Sequence, residues 1–141
     1  MKAEVKMNKS AKDFFNQGYS CSEAILKAAA QKGYLPEDLV KLSTVFSGGM
    51  SSGCLCGAIA GSQLVISSNF GRSELSEDSS ECRAKAKLFV ESFKEKHKFT
   101  CCKALSGKYE FGSAERRQNC AILVQDAAEI LEQVVCQKVS K

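Results

Sequence analysis

The chain of 141 residues has one proline, one histidine and no apolar run near the roughly 18 residues a membrane span needs. Ser62, Gln63, Ser67 and Ser68 interrupt the best candidate stretch, which excludes a membrane span. With so little proline and a hydrophobic content of 44%, the sequence suits one compact domain covering residues 1–141. The lone histidine, His97, has no acid placed by the sequence to orient it, which argues against the cysteine and histidine pairing of thiol hydrolases. At the end of a lysine-rich segment it is expected to be an exposed cation. No GxxxxGK phosphate loop occurs, and the acidic residues show no pairing beyond a helix cap at Glu23. The lysine-rich stretch from Met1 to Lys12 lacks the apolar core of a secretory signal, so the expected location is the cytoplasm.

The formal net charge of +4 comes mostly from lysines. Between Arg83 and Lys98 they alternate with Glu91 and Glu95, as on a solvated helix face. Nucleic-acid binding would need a basic groove with interleaved aromatics, whereas Phe89 and Phe93 are spaced as a buried stripe. No nucleic-acid partner is expected.

Nothing alternates with period two for long enough to demand a strand, and the pattern predicts an all-α fold, a small irregular bundle of five or six helices. Ser20 and Glu23 form a capping box that opens a helix running to about Lys32, where Gly33 stops it. Pro36, Glu37 and Asp38 open a second helix that ends near Ser47. Ser47 to Gly53 reads as a glycine-rich loop. A mostly buried helix is expected from Cys56 to about Asn69, with Gly71 as its end signal. Cys82, Ala86, Phe89, Val90 and Phe93 form one apolar stripe on a helix from Ser80 to Lys98. A short turn or helix follows Cys102. The last helix is predicted from about Asn119 to Val135, with Cys120, Leu123, Val124, Ala127, Leu131 and Val134 on one face.

What the sequence has in quantity is cysteine: eight residues, in a chain without an export signal. Reducing compartments favour metal-binding or catalytic cysteine over structural disulfides. Cys21, Cys56 and Cys120 fall at predicted helix starts, where unpaired amides and the macrodipole favour a thiolate over a thiol. Cys102 stands beside Lys103, which offers similar help. These thiols are expected to ionise easily. Gly48 and Gly49 in the loop before Cys56 give the backbone freedom to aim amides into a concavity. Gly57 and Gly61, spaced by four in a helix, indicate a face that another backbone or a cofactor approaches closely.

Cys56, Gly57, Ala58, Ile59, Ala60 and Gly61 resemble the CGAxxG signature of the C_GCAxxG_C_C family, whose members are described as redox-active proteins of about this length. Gly18 to Ala24 is similar to that family's first cysteine segment and Phe46 to Met50 to its glycine loop. Cys102 to Leu105 and then Cys120 before a long apolar helix look like the third and fourth segments. The resemblance implies that Cys21, Cys56, Cys102 and Cys120 are the four signature cysteines. It favours Cys102 over the adjacent Cys101, because Lys103, Ala104 and Leu105 fit the segment. Cys54 could act alongside Cys56. Cys82, on an apolar stripe, is expected to be a small buried hydrophobe and Cys136 an exposed bystander.

Three functions fit these residues. In the first, two or more of the four cysteines cycle between thiol and disulfide and hand electrons to a redox partner protein. With no CxxC motif, such pairs would join distant segments. In the second, four thiolates hold an iron-sulfur cluster or, less favoured, a tetrahedral zinc, with amides of the glycine loop hydrogen-bonded to cluster sulfides. In the third, the chain is a helical interaction module of a transporter-linked system whose cysteines are merely buried. Its glycine-faced helices would also allow a homodimer.

Overall fold

The computed structural model describes residues 6–136, and among these there is no β-strand. Six α-helices and one 3-10 segment account for the fold: α1 (Met7–Gln17), α2 (Cys21–Gln31), the 3-10 segment (Glu37–Phe46), α3 (Gly57–Phe70), α4 (Ser80–His97), α5 (Cys102–Ser106) and α6 (Ala114–Cys136). The expected all-α bundle is what the chain forms.

Helix α1 is an element that the sequence reading passed over. Met7, Ser10, Ala11 and Phe15 recur at helical spacing and are all buried. Lysines on the other face obscured that stripe, and no side chain caps its start. Helix α2 begins as the capping box requires: the Ser20 hydroxyl accepts from the Glu23 amide, and the Glu23 carboxylate accepts from the Ser20 amide at 3.0 Å.

Where a second α-helix was expected, Glu37–Phe46 winds as a 3-10 segment. It is fastened to α2 by polar contacts: Ser22 donates to the Ser43 carbonyl at 2.7 Å, Thr44 to the Glu23 carboxylate at 2.7 Å, and Lys27 pairs with Glu37 at 2.6 Å. The tighter winding brings Ser43 inward and leaves Leu42 and Val45 exposed.

Helix α6 packs against α1, α2, α3 and α4. It starts at Ala114, five residues before the predicted position, because Asn119 is an interior residue and not a cap. Its side chain donates to the Leu105 carbonyl at 3.0 Å and to the Ser106 hydroxyl at 2.9 Å, tying α6 to α5. The core gathers Ile25, Leu26, Ile59, Ile66, Phe89, Phe93, Val124 and Leu131, all buried.

Two features of α4 correct the picture of a solvated lysine face with an exposed histidine. Lys85 is only 1% exposed: its ammonium donates to the Val134 carbonyl at 2.8 Å and lies 4.6 Å from the centre of the Phe70 ring. His97 is half-buried, its ring tilted against Phe93 at 4.8 Å, with Nε2 2.9 Å from Asp126 Oδ2. The acid that sequence proximity did not supply comes from α6.

Candidate functional site

The loop before α3 determines how the cysteines meet. Gly48, Gly49, Met50 and Ser51 all have positive φ (63°, 67°, 62° and 57°), so the chain makes a left-handed turn that closes with the Cys54 amide donating to the Gly49 carbonyl at 2.8 Å. A β-carbon on Gly49 would stand 2.6 Å from the Cys54 nitrogen and 2.7 Å from Cys102 Cβ, so only glycine fits there. Beyond the turn, Leu55 and Cys101 form an isolated antiparallel bridge. Its two bonds run from the Cys56 amide to the Thr100 carbonyl (2.8 Å) and from the Cys102 amide to the Cys54 carbonyl (2.5 Å). Backbone bonding therefore sets Cys56 across from Thr100 and Cys102 across from Cys54, which brings the Cys56 and Cys102 segments together although they are far apart in sequence.

Cys21 and Cys120 join them from α2 and α6. Cys21, Cys56, Cys102 and Cys120 all line one cavity of about 220 Å³, whose apolar wall is built from Phe15, Leu105, Leu123 and Phe111. Each sulfur comes from a different element: the first residue of α2, the N-cap of α3, the first residue of α5 and the second turn of α6. Cys120 thus lacks the helix-start position predicted for it. Its sulfur lies 3.5 Å from the Ser106 hydroxyl.

The expected ease of ionisation is reversed at two of the four thiols. Burial is the largest influence on Cys21 and raises its pKa, with the nearby sulfurs of Cys120 and Cys102 adding to the rise. Hydrogen bonds from the Gly48 and Ser22 amides oppose it and lose. Cys56 is pushed up to about 12, first by burial and then by the charge that Cys21 would carry, against bonds from the Ala58 and Ile59 amides. Backbone amides therefore act on both thiols in the anticipated direction. Desolvation outweighs them, because taking a thiolate out of water costs more than two amide bonds return.

Of the four glycines singled out, Gly48 and Gly57 line the cavity. Gly57 is also pressed against the Cys21 sulfur and stands 2.8 Å, measured from its absent β-carbon, from the Phe46 carbonyl oxygen. Gly61 faces α2, where a β-carbon would lie 3.1 Å from the Ser22 carbonyl oxygen and 3.2 Å from Leu26. Gly49 is packed on Cys54 and Cys102. The spaced pair Gly57 and Gly61 thus lets α3 lie close along α2.

The other cysteines stand elsewhere. Cys101 turns away from the cavity and donates to the Gly53 carbonyl at 3.2 Å. Cys54 and Cys136 are exposed, and the Cys136 sulfur lies 3.2 Å from the Tyr34 hydroxyl. Cys82 is half-buried, 3.8 Å from the Ser67 hydroxyl. All eight cysteines are free thiols.

Two arginines in the cavity wall escaped the sequence reading. Arg116 reaches towards the Cys102 sulfur at 3.6 Å, donates to the Tyr109 carbonyl at 3.2 Å and lies over Phe111. Arg117 donates to the Phe15 carbonyl at 2.8 Å and covers its ring. The available signal was spacing: Arg116 and Cys120 are four apart and share a helix face once α6 is begun at Ala114.

Among the described residues no three Cys, His, Asp or Glu side chains stand close enough to hold a metal ion. The arrangement is one of neighbouring thiols in an apolar recess with a guanidinium at one of them, which suits disulfide exchange. Among the described residues no helix is long and apolar enough to cross a membrane. No curated protein and no solved structure gives a match to the chain. Residues 19–134, which carry all four cavity cysteines, match the family model described as "Putative redox-active protein (C_GCAxxG_C_C)", and the chain belongs to that family.

Proposed function

We propose that the protein is a thiol-based electron carrier in which Cys102 attacks a partner disulfide and Cys21 resolves the product. The observation that carries this reading is that four cysteines from four separate elements line one cavity. Cys102 is the sulfur that a guanidinium N–H approaches, so negative charge formed there during exchange has a cation beside it. Cys21 is influenced by Cys102 and Cys120, and in turn influences Cys56, which makes it the central thiol of the group.

The Cys102 thiolate bonds to one sulfur of the partner disulfide, and the other partner sulfur leaves with the electron pair of the broken bond. The Cys21 sulfur then bonds to Cys102. The bond between Cys102 and the partner breaks, and the departing sulfur takes the Cys21 proton. Two electrons pass from the protein to the partner, and a Cys21–Cys102 disulfide remains.

The same four sulfurs would be the donors for an iron-sulfur cluster or zinc, a reading that draws no support from the spacing of the described side chains. Thiol exchange is therefore the preferred reading. Differential alkylation with mass spectrometry, before and after mild oxidation, should find a disulfide among Cys21, Cys56, Cys102 and Cys120. The proposal fails if none of the four changes state. Stoichiometric iron or zinc in protein purified without oxygen would transfer the site to the metal reading.

A further inference from the structure

A second space adjoins the thiol cavity. Ser47, Gly48, Phe111 and Arg116 wall both, and the second has a volume of about 600 Å³, within the usual range of small-molecule pockets, roughly 300–1,000 Å³. Its character is different. The first space is walled mainly by sulfur and apolar side chains, whereas the second adds Ser52 and Lys103 to Arg116. The Lys103 stem lies along Gly53, so close that a β-carbon there would be 3.1 Å from Lys103 Cγ. Among the described residues, neither Lys103 nor Arg116 forms a salt bridge with a carboxylate. Two cations without a carboxylate partner therefore border a pocket that shares a wall with the thiol cavity.

Access limits what can react there. Cys102 is 8% exposed and Cys56 5%, so a disulfide fixed in the surface of a folded protein would have to displace the cavity wall to reach them. A small molecule could enter through the second pocket.

We infer that the second pocket is a subsite for the acidic end of a small peptide-like disulfide, whose carboxylates bind Lys103 and Arg116 while its sulfur reaches Cys102. This rests on the thiol-exchange reading and names its substrate class. Cys102 bonds to one substrate sulfur, the other substrate half leaves as a thiol after taking a proton, and Cys21 releases the half that was held. One disulfide is reduced to two thiols as one protein disulfide forms.

The test uses the reduced full-length protein and three probes: S-methylglutathione, which carries the carboxylates without a reactive sulfur, oxidised glutathione, and uncharged hydroxyethyl disulfide. S-methylglutathione should bind, and Lys103→Gln should weaken it about fivefold, as removal of one charge-assisted contact at a partly exposed site would. Raising the salt should weaken it too. Oxidised glutathione should oxidise the protein faster than hydroxyethyl disulfide, with the ratio of the two rates falling about fivefold in Lys103→Gln. Equal rates for the two disulfides, together with no S-methylglutathione binding, would overturn the subsite and leave thiol exchange standing. Binding that depends on Lys103, with oxidation by neither disulfide, would keep the subsite and end the thiol-exchange reading.

Discussion

The Cys21 sulfur rests against Gly57 in the space where any other residue would place its β-carbon, and the Phe46 carbonyl oxygen, 2.8 Å from that position, closes the other side. Gly57→Ala must therefore push Cys21 or move backbone. The expected cost is about 2–3 kcal/mol, at the upper end for overpacking, with altered alkylation of Cys21. Gly61→Ala meets its neighbours at 3.1 and 3.2 Å and gains helix propensity, so its net cost should stay below about 1 kcal/mol. Urea unfolding of both variants checks the order, and equal stabilities would show that the Cys21 contact is not restrictive.

Arg116→Gln removes the cation beside the Cys102 sulfur. The rate of Cys102 alkylation near neutral pH should fall about threefold to tenfold, with Arg116→Lys falling less. Peptide mapping after timed iodoacetamide treatment reads this directly. An unchanged rate in the glutamine variant would remove Cys102 from the attacking role.

The buried thiol of Cys56 sets an alkaline limit on stability. Its ordinary value is 9.0 and the fold raises it to about 12, so the folded state keeps its proton where the unfolded state has lost it. The contribution is fully present below about pH 9 and is lost progressively from there to about pH 12, at up to about 1.4 kcal/mol per pH unit. Urea unfolding at pH 8 and pH 10.5 should show a smaller decline for Cys56→Ser than for the parent chain. Parallel declines would mean that other groups dominate.

The capping box should appear at acid pH. Hydrogen bonds from the Ser20 amide and then the Thr44 hydroxyl hold Glu23 below its ordinary 4.5. The stabilisation is present above that value and declines as the pH falls through the lowered one. Ser20→Ala should cost about 1 kcal/mol at neutral pH, and Glu23→Gln should flatten the acid limb of a thermal-melting profile. A Ser20→Ala chain as stable as its parent would show that the box contributes little.

Local signals determined how much could be read in advance. Helices α2, α3 and α4 were legible because Ser20 with Glu23, Gly33, Gly71 and the Phe89 and Phe93 spacing are features of the segment itself. The start of α6 was not, because Asn119 resembles a cap while Glu115 to Gln118 are polar on every side, and losing that turn concealed Arg116. The 3-10 winding of Glu37–Phe46 escaped because apolar spacing in so short a stretch does not separate it from an α-helix. For the thiols, a position at a helix start is visible in sequence, but the depth of water exclusion around Cys21 and Cys56 is set by α6 and by the loop carrying Gly48.

The bridge between Leu55 and Cys101 acts as a buckle on the chain. Helices α3 and α4 form one closed strap whose two ends are fastened main chain to main chain, and the exposed stretch of residues 71–78 is the far bend of that strap. A protease cut in the bend would leave both ends clasped, and the two fragments would still be held across the core. The spacing between Cys56 and Cys102 would then survive damage that severs the polypeptide between them.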